Sequence, residues 1–243
     1  MDQRIQLQPA YVLHSRPFQN TSMLLDFFCM DYGRVRAVAR GVRSNKSKMR
    51  PLLQLFHPLL VSFSGRGEVK TVTGTESGHA AIILRGERLF SGLYVNELLT
   101  RMLLLHVEHK DVYMIYQNTL AALQGEVDLE LVLRRFELNL LAGLGYALNL
   151  HVDCRTHSDI ESNLIYRFTP DIGFEVTDEE LQSGKAAANP RLFRGAHLIA
   201  LRDFDLQLRE NAQAAKRLLR LALSAHLGDK PLYSRNLFTT KPA

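Results

Sequence analysis

The chain has 243 residues, 46% of them hydrophobic and 23% charged, which is enough for one large domain or two ordinary ones and too apolar for a disordered chain. Two cysteines, Cys29 and Cys154, exclude a disulfide framework and fit a reducing compartment. The net charge of +5 matters less than its placement, because the acidic run Asp178-Glu179-Glu180 lies far from a locally basic N-terminal third.

The first 80 residues read as strands. Residues 10–14 are short and β-rich and run into a Ser-Arg-Pro turn, and residues 23–28 make a second strand closed by Asp31-Tyr32-Gly33. Residues 34–39 alternate, with Arg34 and Arg36 on one face and Val35 and Ala37 on the other, the period of a half-exposed strand. Residues 59–63 and 68–73 are the fourth and fifth strands, joined by a turn at Gly65-Arg-Gly67. Five short strands with no long helix between them predict a small closed barrel, and closure removes the exposed edges of an open sheet.

From residue 89 the period becomes helical. Leu89, Leu93, Val95, Leu98, Leu99 and Met102 lie near one stripe, a second helix covers residues 111–123, and a third covers 129–144 with Asp128 as its N-cap. Residues 150–185 lose periodicity and read as an irregular insert with a short hairpin at 164–174. Helical pattern returns at 190–201 and is clearest at 211–227, while the basic tail 230–243 reads as loosely held. The fold class is therefore α+β: a five-stranded OB-fold (oligonucleotide-binding) barrel at residues 1–80, followed by a helical domain at 81–243. The N-terminus lacks the apolar core of a signal peptide, and the longest apolar stretch, residues 52–64, is interrupted and too short to span a bilayer. A cytoplasmic protein is expected.

The feature that bears most on function is a run from Gly33 to Gly67 with eight Lys or Arg and no acid. Its dense part is Arg34, Arg36, Arg40, Arg43, Lys46, Lys48 and Arg50, and its Ser44-Asn-Lys-Ser-Lys48 stretch reads as a mobile loop. Seven like charges kept together repel one another, so a polyanion is the natural partner. On a five-stranded barrel this points to nucleic acid, held by a charged groove along the backbone with aromatics stacking on bases. Tyr32 is the best stacking candidate, beside the basic strand; Tyr11, Phe18, Phe27 and Phe28 fit the core better. With no base-reading motif, binding should be sequence-tolerant. Seven phosphate contacts would give a log–log salt slope of roughly −5, at about −0.7 per single-strand contact.

Other chemistry finds little support. There is no Walker-type loop, no nucleophile elbow at Gly74-Thr-Glu-Ser-Gly78 and no carboxylate cluster for two-metal hydrolysis. His151-x-x-Cys154-x-x-His157 has metal-like spacing but lacks a second ligand pair, so no metal, cofactor or enzymatic role is expected. On the helices, Arg134 and Arg135 are adjacent, one expected to pair with Glu130, Glu137 or Asp128. Lys216, Arg217 and Arg220 form a second basic strip. Exposed arginines beside an apolar groove suit an acidic peptide with a hydrophobic end; a solvated helix face is the bland reading.

Eight stretches in chain order, Tyr11-Val-Leu-His-Ser-Arg-Pro17, Gly33-Arg-Val-Arg36, Arg40-Gly41, Ser64-Gly-Arg-Gly-Glu-Val-Lys70, Leu93-Tyr-Val-Asn-Glu-Leu-Leu99, Leu133-Arg-Arg-Phe-Glu-Leu138, Leu144-Gly-Tyr146 and Lys230-Pro-Leu-Tyr-Ser-Arg235, together resemble the RecO family of bacterial recombination mediators, its enterobacterial branch in particular. The resemblance implies an oligonucleotide-binding barrel followed by a helical domain and a non-enzymatic DNA-repair role in the RecF pathway. It implies binding of single- and double-stranded DNA, annealing of complementary strands, and action with RecR to load RecA onto strands coated by single-stranded-DNA-binding protein. That protein's acidic C-terminal tail would sit near Arg134 or Arg135, with Lys216 and Arg217; RecF is a further candidate partner and nucleoid association is expected. Many family members carry two Cys-x-x-Cys pairs for zinc, where this chain has His151-x-x-Cys154 and Glu175-x-x-Asp178. Such mixed ligands predict no zinc and an insert held by packing. The alternatives are an RNA- or ribosome-associated barrel protein, and a metal enzyme built on His151, Cys154 and His157.

Overall fold

The computed structural model describes residues 4–179, 189–228 and 230–238. Its first five strands are β1 (Ile5–Phe18), β2 (Ser22–Cys29), β3 (Gly33–Ala39), β4 (Leu59–Ser64) and β5 (Val69–Ser77). They close into a barrel in the order β1-β2-β3-β5-β4, sealed by parallel pairing of β3 with β5 and antiparallel pairing of β4 with β1. This is the expected oligonucleotide-binding barrel. β3 shows why: Val35, Ala37 and Ala39 are fully buried, while Arg34, Arg36 and Val38 face outward. Phe27 and Phe63 meet edge-on in the barrel core at 5.3 Å.

One strand is longer than its pattern. The expected Ser15-Arg16-Pro17 turn is strand, and β1 turns only after Phe18, with Gln19 at φ 51. β1 extends because it serves two neighbours, pairing with β4 through its first half and with β2 through its second. Gly33, at φ 60, is required where β2 turns into β3, since a Cβ there would sit 1.7 Å from the carbonyl oxygen of Val107.

Helices α1 (Gly86–Met102) and α2 (Lys110–Gln124) follow, and α3 (Leu129–Gly143) comes next. Tyr11 and Phe28 from the barrel stack edge-on against Tyr116 and Tyr113 of α2, at 5.2 and 5.4 Å. Asn96 of α1 donates to the Leu13 carbonyl at 3.1 Å and accepts from the Tyr116 hydroxyl at 2.7 Å. Two helices are thus built onto the barrel, and the first compact unit reaches beyond residue 80, as far as Leu129. It resumes at Lys230, so the C-terminal segment belongs to it as well. That segment is not loosely held as far as Phe238. Glu97 of α1 accepts the backbone N–H of Tyr233 and of Ser234, each at 2.9 Å, at the start of α6 (Ser234–Leu237). Residues 239–243 lie outside the described residues.

The second compact unit, Glu130–Asp229, holds the remainder of α3, a three-stranded sheet in the order β7-β6-β8, and helices α4 (Gly195–Arg202) and α5 (Arg209–Leu227). The expected hairpin is β6 (Ile165–Thr169) and β7 (Gly173–Val176), and β8 (Leu192–Arg194) adds a strand that the pattern assigned to a helix. The helix begins only at Gly195, whose absent Cβ leaves room for the Glu161 carbonyl; a Cβ would sit 1.8 Å from it. Among the described residues no helix is long and apolar enough to cross a membrane.

Candidate nucleic-acid interface

After β3 the chain turns at Gly41 (φ 67) and buries Val42 completely, while at the far end of the loop Leu53 enters the barrel core and Phe56 is buried beside Gly92 of α1. Between these anchors it makes successive turns, with Ser44 N–H donating to the Gly41 carbonyl and Ser47 N–H to the Ser44 carbonyl, both at 3.1 Å. The loop also ties back to the β1–β2 turn, since Arg43 N–H donates to the Thr21 carbonyl at 2.8 Å. The backbone is pinned and the cations are left outside: Arg40, Arg43, Lys46, Lys48 and Arg50 are all exposed.

The structure separates these five from three other candidates. Arg36 is paired with Asp26, so its charge is already met. Arg34 is half-buried and donates to the Thr100 carbonyl of α1, and burial lowers its pKa. Tyr32 is half-buried and packs against the barrel core, which leaves less ring for a base than its turn position suggested. The strand alternation placed Arg34 and Arg36 on the outer face correctly, but α1 and Asp26 already occupy that face.

In the second unit the four helical candidates separate as well. Arg134 is 5% exposed and donates to Glu137 at 2.9 Å, the pairing anticipated for one of the two arginines. Its neighbour Arg135 is exposed and lies over the Phe204 ring at 3.9 Å. Lys216 pairs with Glu130, and Arg217 donates to the Leu192 carbonyl at 2.6 Å while lying 4.3 Å over the Phe193 ring. Lys216, Arg217 and Arg220 line one depression of about 330 Å³ with Gln213 and Leu221; Arg134 and Arg135 do not line it. Of the three cations lining it, Arg220 is the exposed one, Lys216 and Arg217 being half-buried.

The metal-like spacing in the insert has a different use. Asp153, 2% exposed, accepts N–H groups from Arg155 (2.7 Å), Thr156 (2.8 Å) and Val176 of β7 (2.6 Å), and Cys154 N–H donates to the Phe174 carbonyl at 2.8 Å. A buried carboxylate thus organises this loop, and among the described residues no three His, Cys, Asp or Glu side chains are grouped to hold a metal ion.

Two family models match the chain in sequence order, one described as Recombination protein O N terminal over residues 1–80, the other as Recombination protein O C terminal over residues 84–236. The chain belongs to the RecO family. A relative named DNA repair protein RecO from Cellvibrio japonicus is 44% identical over 237 residues, covering 97% of this chain and 98% of its own length. Relatives with the same name from Salmonella enteritidis and Enterobacter sp. are each 41% identical over 232 residues, covering 95% of this chain and 93% and 95% of their own lengths. In this RecO-family chain the N-terminal family model ends where the barrel ends, although the compact unit goes on through α1 and α2.

Proposed function

We propose that this RecO-family protein acts as a non-enzymatic DNA-repair mediator whose barrel holds DNA strands by their phosphates on the loop between β3 and β4. The observation that carries this is the set of five exposed cations, Arg40, Arg43, Lys46, Lys48 and Arg50, displayed from a pinned loop with no acid in the surrounding run. Five phosphate contacts correspond to a salt slope of about −3.5 for single strands, shallower than the −5 expected from seven. Cations that neutralise two strands at once lower the repulsion between them, so annealing needs positioned charge and no bond chemistry.

The finer reading is that the protein binds single- and double-stranded DNA, anneals complementary strands coated by single-stranded-DNA-binding protein, and with RecR loads RecA. The family supports it. The acidic tail of the coating protein has a chemically suitable surface on α5, where Lys216, Arg217 and Arg220 surround a depression with Leu221 on its wall. The test is annealing of complementary strands coated with the cognate single-stranded-DNA-binding protein, intact and with its acidic tail removed. Fast annealing that needs the tail is expected, with a steep salt dependence. No acceleration with either coat, together with stronger binding to structured RNA than to single-stranded DNA, would move the assignment to an RNA partner.

A further inference from the structure

The first compact unit contains a groove of about 720 Å³, within the range of small-molecule sites, roughly 300–1,000 Å³, and so sized for a nucleotide rather than a folded partner. One wall is β1 and β2, the other is α1, and the lip is the C-terminal segment with Lys230 and Tyr233. Its apolar lining comes from Leu13, Leu24, Leu55 and Leu93.

The charge of this groove is unbalanced. Both of its acids are engaged: Asp26 by the Arg36 guanidinium at 3.0 Å, and Glu97 by two backbone N–H groups at 2.9 Å and the Ser234 hydroxyl at 2.6 Å. Arg16 and Lys230 are exposed, and their side chains have no hydrogen-bond or ion-pair partner among the described residues, the Lys230 carbonyl accepting from Arg101. Tyr233 is 73% exposed, held by its backbone N–H on Glu97, and its ring has no aromatic or cationic partner among the described residues. Free cations around an apolar floor, with an open aromatic ring at the mouth, suit an unstacked base and its phosphate. The loop that carries the exposed cations reaches the groove at Leu55, and Arg36 of β3 lines it as well.

We propose that this groove is a single-strand subsite, which takes one unstacked nucleotide of a strand held on the β3–β4 loop. Its phosphate lies on Arg16 and Lys230 and its base against Tyr233. The proposal rests on the DNA-binding reading and adds to it a place where only an unpaired base fits. Duplex DNA, with its bases stacked inside, gains nothing there.

The test uses the full chain, oligodeoxythymidylate and a duplex of equal length. The variants are Tyr233→Leu and the double variant Arg16→Ala/Lys230→Ala, none of which removes a side chain the fold uses. Tyr233→Leu should weaken single-strand binding about 5-fold or more and leave duplex binding unchanged. The double variant, which removes both cations from that one phosphate, should make the single-strand salt slope shallower by about 0.7. A strand carrying 5-iododeoxyuridine should photocrosslink to Tyr233. Single-strand binding, selectivity and slope unchanged in both variants would overturn the groove while leaving the loop as the DNA site. Failure of the unaltered protein to bind either DNA would overturn both. An acidic peptide whose binding is lost in the double variant, with single-strand binding intact, would give the groove to a peptide and overturn the proposal.

Discussion

Arg36 and Asp26 stand opposite each other in the β2–β3 ladder, and the guanidinium reaches the carboxylate with Nε at 3.0 Å from Oδ1 and Nη2 at 3.4 Å from Oδ2. The pair couples a cation of the basic run to an acid that is 6% exposed. Replacing Arg36 by Ala strands that acid, so stability should fall by about 1–3 kcal/mol. The Arg36→Ala protein should still bind single-stranded DNA with most of its salt dependence. Denaturant unfolding and anisotropy titrations measure the two effects separately. A large loss of affinity at unchanged stability would return Arg36 to the interface.

The exposed cations should behave oppositely. Lys46→Ala and Lys48→Ala should each leave unfolding within about 0.5 kcal/mol of the parent, as exposed substitutions do. Each should make the single-strand salt slope shallower by about 0.7. The loss should be similar for different base sequences, because phosphate contacts carry no sequence information.

Much of this division was legible beforehand and some of it was not. The alternation in Gly33-Arg-Val-Arg36 fixes which side chains leave the barrel, and the strand pattern fixes the barrel itself. That Arg36 is already engaged depends on Asp26, ten residues earlier and on a neighbouring strand, and only the register brings them together. That α1 and α2 join the barrel was hidden because a helical stripe reveals that a face is buried, not what buries it. The tail's attachment was hidden for another reason: Glu97 recognises backbone N–H groups, which every residue but proline carries.

Arg134 and Glu137 form a pair inside the second unit, their side chains 6% and 1% exposed, and Nε and Nη1 of Arg134 have no hydrogen-bond partner among the described residues. Glu137→Leu should cost about 3–5 kcal/mol by leaving a buried guanidinium unpaired. The double variant Arg134→Met/Glu137→Leu should recover much of that loss. A thermal unfolding series with both single variants and the double variant measures the coupling. Equal destabilisation in the single and double variants would contradict it.

Asp153 supplies a pH dependence. Burial alone would raise its pKa, but the hydrogen bonds from Thr156, Val176 and Arg155 outweigh burial and hold it below the ordinary aspartate range. A lowered folded pKa gives stability that is complete above the unfolded value of about 3.9 and is lost as pH falls through the folded value. Asp153→Asn should therefore be less stable than the parent at neutral pH, and the gap should shrink on acidification. Parallel melts from pH 7 to pH 2 measure it. A gap that widens in acid would reverse the assignment.

Glu97 waits a long time for its partners. The N–H groups it accepts lie 136 and 137 residues further along the chain. At synthesis rates of roughly 5–20 residues per second, the carboxylate spends about 7–27 s without them. The unit that begins the chain is therefore among the last parts finished. Proteolysis that removes residues 232–243 would strip the lip from the groove beside α1, leaving a barrel that is closed but a groove that is not.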